Sequence, residues 1–150
     1  MRIRSRHFPM LVLSLALIPA ALVLPWASSA QESTPAANPK NLVGTWHWIF
    51  HGQPFATMVL EPKADGFTGS VTNASIEADP DGKLTNAVAL SGSSPIIRSS
   101  WDKGILRIVC KVDDDEIEWA VTLTSATTAE IAPWGAQAPK LKSIHAEKAL

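Results

Sequence analysis

The stretch GTWHWIF, residues 44–50, decides the fold of this chain. Its aromatic residues alternate, which is typical of a β-strand with side chains on two opposite faces. Trp46, Trp48 and Phe50 fall on one face, whereas the other face carries Thr45, His47 and Ile49. Both faces of this first strand are therefore bulky, and each needs a partner.

Short apolar segments separated by turn residues follow this strand along the chain. The turn clusters are rich in Gly, Pro and Asp, as in 79–82 (DPDG) and 113–116 (DDDE). The pattern predicts strands at 43–50, 55–61, 67–73, 84–91, 96–101, 105–112, 117–124 and 128–134. The connections are too short for crossover helices, so neighbouring strands must be antiparallel.

The predicted fold class is all-β, an antiparallel meander that closes into a small up-and-down barrel of about eight strands. The segment 140–150 fits either a helix or a last strand. We favour the strand, because it would pair the two open edges of the meander.

One hairpin can be aligned residue by residue. If 113–116 is a four-residue loop, the polar face of the hairpin places Lys111 opposite Glu118 and Arg107 opposite Thr122. The other face is then entirely apolar, with the pairs Val112–Ile117, Cys110–Trp119, Ile108–Val121 and Leu106–Leu123.

The preceding strand is expected to extend that apolar face. Trp101 would lie opposite Leu106, and Ile97 opposite Cys110. These side chains form the predicted centre of the core.

The first hairpin carries the candidate ligand-binding residues. With Phe50 opposite Phe55, one face holds Trp46, Trp48, Phe50, Phe55 and Val59, and the other holds Ile49, Ala56, Met58 and Leu60. Only one face of a barrel wall points inward, so the other must meet the C-terminal segment, a second subunit, a membrane surface or a ligand. We predict that Trp46, Trp48, Phe50 and Phe55 bind the ligand.

The N-terminal part of the chain predicts export. Residues 1–30 have a basic start, an apolar run and a small-residue exit at Ala30, which is typical of a secretory signal peptide. The alternative is an uncleaved membrane anchor, but Pro19 and Pro25 interrupt the apolar run. Residues 31–41 are predicted to be a flexible linker and 42–150 the barrel domain, in a secreted or periplasmic protein.

Charge and cysteine content exclude some functions. Beyond residue 30 the chain has ten Lys and Arg against fourteen Asp and Glu, so no nucleic-acid partner is expected. Cys110 is the only cysteine and is expected to be a buried core residue. His47 and His51 stand about 13 Å apart on a strand, so we expect no metal site.

Gly44 and Trp46 resemble the Gly-x-Trp motif that opens the first strand of the lipocalin or calycin family. The resemblance implies a barrel in which the tryptophan closes one end and the interior holds an apolar ligand. The family places an arginine near the last strand beside that tryptophan, and Lys142 or Lys148 is its nearest substitute here. The chain also resembles small exported bacterial β-domains of unassigned role.

Known catalytic and cofactor motifs are absent from the sequence, and no cofactor is expected. The favoured hypothesis is a non-enzymatic exported barrel that binds an apolar small molecule or an envelope protein. One alternative is a hydrolase whose Ser, His and Asp residues meet only in the fold. The other is a structural or accessory module that assembles through its aromatic face, including as a homo-oligomer.

The signal-peptide hypothesis makes the first testable prediction. We expect the exported protein to begin near Gln31, because export normally removes such a segment. The intact mass of protein recovered from the envelope or medium measures this directly. A mass that still includes residues 1–30 would contradict it.

Overall fold

The computed structural model describes residues 38–136 and 138–150. The predicted signal peptide, and the predicted linker up to residue 37, lie outside the described residues. The elements are a 3-10 helix (Pro39–Leu42) and eight strands, β1 (Gly44–Phe50), β2 (Gln53–Lys63), β3 (Gly66–Ala78), β4 (Leu84–Asp102), β5 (Ile105–Val112), β6 (Asp115–Leu123), β7 (Thr128–Pro133) and β8 (Ile144–Lys148).

The strands form one closed barrel in chain order. Each strand pairs antiparallel with the next, and β8 pairs with both β7 and β1. The prediction of an all-β, eight-stranded up-and-down barrel is confirmed, and the C-terminal segment is a strand. In the described part of the chain, no helix is long and apolar enough to span a membrane.

The strand inventory differs from the prediction in β4. The segments 84–91 and 96–101, predicted as two strands, are the two halves of one strand of 19 residues. Gly92 has a φ of 88° and lies at a bulge, where Leu90, Ser91 and Gly92 have no register partner on β3. A glycine inside a strand often marks a bulge and not a turn.

The predicted register of β5 and β6 is wrong by two residues. The hairpin turn has two residues, because Asp113 adopts a φ of 53° and Val112 pairs with Asp115. Cys110 therefore faces Ile117, and Lys111 faces Glu116. The predicted partners of the remaining β5 residues shift likewise, to Ile108–Trp119, Leu106–Val121 and Arg107–Ala120. A shift of two residues keeps each side chain on its face, so Leu106, Ile108 and Cys110 are buried as predicted, whereas Val112 is only partly buried.

One of the two residue pairs predicted between β4 and β5 is confirmed. Trp101 pairs with Leu106, as expected. Cys110 pairs with Ile96, because a bulge between Ile96 and Arg98 displaces Ile97 outward. The predicted pair of Ile97 with Cys110 is therefore wrong.

The predicted register of the first hairpin is also wrong. Phe50 pairs with Gln53 across a turn whose two residues have positive φ, and a bulge follows Trp48. The tryptophans consequently share the interior with β2 residues that were predicted on the opposite face. These interior β2 residues are Ala56, Met58 and Leu60.

Trp46 closes one end of the barrel, which we call the floor. Its ring is fully buried, and its Nε1 donates a hydrogen bond to the carbonyl of Leu42 at 2.8 Å. The 3-10 helix holds Leu42 in place, so part of the predicted linker is ordered. Lys148 lies with Nζ 5.6 Å from the centroid of the Trp46 ring and donates to the carbonyl of Asn41 at 2.8 Å. Of the two lysines considered from the sequence, Lys148 is therefore the one beside the tryptophan.

We expect Trp46→Ala to lower the free energy of unfolding by about 3 to 5 kcal/mol, because it empties the floor and removes a buried hydrogen bond. Trp134→Ala is the matched control, since that ring is 44% exposed and its loss should cost less than about 1 kcal/mol. Urea unfolding curves of both variants measure the difference. Equal destabilisation would show that Trp46 does not hold the floor.

Candidate functional site

The end of the barrel opposite the floor is the mouth, and it carries the longer connections. Four connections meet there, at residues 51–52, 79–83, 113–114 and 134–143. The β3–β4 and β7–β8 connections start from nearly opposite sides of the closed barrel. Any contact between them must therefore cross the mouth.

The β3–β4 hairpin extends well beyond the barrel wall. The last β3 residue that pairs with β2 is Val71, and residues 74–89 pair only with each other. We call residues 74–89 the overhanging hairpin. Asn73 marks its base, where its Oδ1 accepts a hydrogen bond from Ser94 Oγ at 2.7 Å and its Nδ2 donates to the carbonyl of Ser91 at 3.4 Å. These side-chain bonds stabilise the bulge from which the hairpin departs.

The tip of the overhanging hairpin is an Asp-Pro-Asp-Gly turn, as its sequence predicts. Asp79 Oδ1 accepts hydrogen bonds from the backbone N–H groups of Asp81 at 3.0 Å and Lys83 at 2.8 Å. This arrangement is the self-capping of an Asx turn. Asp79 therefore stabilises the turn.

The same tip is held by the β7–β8 connection. The backbone N–H of Lys142 donates to the carbonyl of Gly82 at 2.6 Å, and Lys140 Nζ donates to the carbonyl of Pro80 at 2.5 Å. A Cβ placed on Gly82 would lie 3.0 Å from the carbonyl oxygen of Lys140, so the backbones approach too closely for a side chain. The hairpin and the connection thus meet across the mouth.

A cavity of about 270 Å³, the inner cavity, lies beneath the base of the hairpin. Trp48 and Trp119 form its aromatic wall, with ring centroids 4.9 Å apart in an edge-to-face arrangement. Val71 and Cys110 add apolar surface, while the polar corner consists of Thr72, Asn73 and Ser94. The inner cavity is therefore mostly apolar, with one neutral polar corner and Asp113 at its edge.

A larger cavity of about 630 Å³, the outer cavity, continues toward the β7–β8 connection. The two cavities share Trp119, Ile117 and the hairpin residues Ala74 and Ile76. Trp134 lies at the outer rim. The overhanging hairpin is thus a wall common to both cavities.

One buried polar group at the inner cavity lacks a hydrogen-bond partner among the described residues. The indole N–H of Trp48 is buried and has no hydrogen-bond partner among residues 38–136 and 138–150. Burial of Cys110 raises the pKa of its thiol to about 11, which keeps it protonated and unreactive at neutral pH. The prediction that Cys110 is a buried core residue is confirmed.

Carboxylates lie at the edge of both cavities. Asp113 borders the inner cavity, whereas Glu116 and Glu118 border the outer one. Arg98 forms a two-pronged ion pair with Glu116, with N–O distances of 3.1 and 2.5 Å. These hydrogen bonds lower the pKa of the Glu116 carboxyl and raise the pKa of the Arg98 guanidinium.

The four residues predicted to bind ligand occupy different places. Trp48 lines the inner cavity, and Phe55 packs edge-on against it with centroids 6.3 Å apart. Trp46 lies at the floor, and Phe50 stacks on His51 at the hairpin tip. Only Trp48 of the four therefore borders a cavity in the described part of the chain.

The histidines of the described residues do not line either cavity. Nδ1 of His47 is 3.2 Å from Thr57 Oγ1, as expected for a strand histidine bonded to a neighbour. The ring of His145 lies between Glu130 and Glu147 at 3.4 and 3.3 Å. Across the described residues, no three His, Cys, Asp or Glu side chains are grouped so as to hold a metal ion.

No protein-family model, curated protein or solved structure matches this chain. Function must therefore be inferred from the geometry of the mouth.

We expect Gly82→Ala to detach the tip of the overhanging hairpin, because the added Cβ meets the backbone at Lys140. Gly104→Ala is the matched control: its φ of 85° is close to the 80° of Gly82, but a Cβ there meets nothing within 4 Å. Hydrogen exchange in residues 74–89 should accelerate roughly tenfold or more in Gly82→Ala alone. Equal exchange in both variants would mean that turn strain, and not the contact across the mouth, determines the effect.

Proposed function

We propose that this protein is an exported, non-enzymatic barrel that binds a small apolar molecule in the mouth, beneath the overhanging hairpin. The observation that supports it most is the inner cavity, in which two tryptophans form a wall inside a closed barrel. Concave apolar sites with a few polar groups are the usual form of small-molecule sites. The export part of the proposal rests on the sequence of residues 1–30.

The resemblance to the lipocalin family supports the same proposal. The chain has a closed antiparallel barrel, a floor formed by Trp46, and a basic residue of the last strand, Lys148, beside it. In that family the tryptophan closes one end of the barrel, and the interior often holds an apolar ligand. The same arrangement would place a ligand of this protein against Trp48 and Trp119.

The hydrolase alternative receives no support from the described residues. Neither cavity is lined by a histidine, and Cys110 is held in its neutral form. Ser94 in the inner cavity donates its hydrogen bond to Asn73, which cannot act as a general base.

A second candidate function is assembly with another protein or a second copy. Val88 and Leu90 of β4 are 49% and 53% exposed, and Leu90 also lines the inner cavity, so a partner on these side chains would cover the edge of that cavity. Sedimentation tests this candidate, since a stable dimer with no bound small molecule would favour it over ligand binding.

The binding proposal is tested by filling the cavity from the hairpin side. Ala74 borders both cavities, so Ala74→Phe should abolish binding of the neutral dye Nile red to the mature protein. Ser75→Phe is the matched control, because Ser75 is adjacent, exposed and outside both linings. We expect one dye per chain in the wild type and in the control, measured by fluorescence titration. Dye binding by Ala74→Phe, or none by the wild type, would contradict the proposal.

A further inference from the structure

The charged side chains that line the two cavities all carry negative charge. They are Asp113, Glu116 and Glu118, and neither lining includes a lysine or arginine from the described residues. A ligand with a carboxylate or phosphate would meet no cation there, and its charge would be repelled. A positively charged group would be attracted instead.

The cations of the neighbouring strands are engaged by other groups. Arg98 is paired with Glu116, and Lys111 lies opposite that same glutamate on the neighbouring strand. Arg107 packs over the Trp134 ring, with Cζ 4.4 Å from its centroid. Asp113 and Glu118, by contrast, form no salt bridge within the part of the chain that the structure describes. The charged side chains of the two linings are therefore all negative, with Arg107 held at the outer rim by Trp134.

The aromatic wall of the inner cavity independently indicates the shape of the ligand. The side chain of Trp48 is only 1% exposed, and its indole N–H lacks a protein acceptor among the described residues, which is unusual for a buried N–H group. The faces and edges of Trp48 and Trp119 suit a flat ring, and indole faces also attract cations.

We propose that the ligand is a flat, apolar amine, with its ring against Trp48 and Trp119 and its ammonium group at the rim, which carries Asp113 at the inner cavity and Glu118 at the outer one. This inference rests on the proposed binding function and specifies the ligand class for the same site. The ring body is desolvated in the inner cavity, and the charge remains near water and the carboxylates of the rim.

Three probes that share one ring and differ in charge test the ligand class. They are naphthylmethylamine, which is cationic at neutral pH, naphthalenemethanol, which is neutral, and naphthoate, which is anionic. We expect the mature protein to bind the amine at least about tenfold more tightly than the carboxylate, with the affinity for the alcohol between them. Added salt should reduce the difference in affinity between the amine and the carboxylate. Calorimetric titration at low and high salt measures all three.

Two substitutions test whether the carboxylates at the rim cause the preference for the amine. In Asp113→Asn with Glu118→Gln, amine affinity should fall at least about fivefold while alcohol affinity changes less than about twofold. Asparagine tolerates the positive φ at position 113, so the turn is preserved. Glu77→Gln on the exposed surface of the hairpin is the matched control and should change neither affinity. Melting curves verify that each variant is folded.

The outcomes separate this inference from the function on which it rests. Equal binding of the three probes, tightest binding of naphthoate, or an amine preference that survives the double substitution would overturn the amine assignment. The same holds if none of the probes binds while Nile red does. If the wild type binds neither the probes nor Nile red, the binding function itself fails.

Discussion

The barrel depends on the pairing of β1 with β8, which sets Trp46 opposite Lys148. This pairing satisfies the two edges that the meander would otherwise leave open. It also brings the lysine to the floor, where its ammonium group binds the carbonyl of Asn41 and covers the indole ring. Because one end is closed by packed side chains, the space that the strands cannot fill lies at the other end. The mouth is therefore the place where the chain can accommodate another molecule.

The sequence predicts the faces of the strands better than their partners. Alternation assigns Leu106, Ile108 and Cys110 to the interior, and all three are buried. The partners across β5 and β6 differ from the prediction because Asp113 adopts a left-handed conformation and shortens the turn to two residues. An aspartate can adopt this conformation, but the twist of the flanking strands also determines whether it does. An error of two residues preserves the face, which explains why these three core residues were predicted correctly while the cross-strand pairs were not.

The candidate site was only partly predictable. Trp48 was identified from its place in an aromatic strand, but the hairpin that covers it was not. The residues around Gly92 and Pro95 look like a turn, whereas they form a bulge within one long strand, and this hid the length of the hairpin. The contact of Pro80 with Lys140 joins residues 60 positions apart, and no local pattern encodes it. Trp119, the second tryptophan of the wall, was assigned to the core, because no local pattern shows that it borders a cavity.

The position of Cys110 has a consequence for the covalent chemistry of the chain. A single thiol on a protein surface can form a disulfide with a second copy under oxidising conditions. Here the sole cysteine faces the barrel interior, and its pKa of about 11 leaves little thiolate to react. Two folded molecules cannot bring these sulfur atoms together. The amount of disulfide-linked dimer in an oxidised sample would therefore measure how many molecules have passed through an unfolded state.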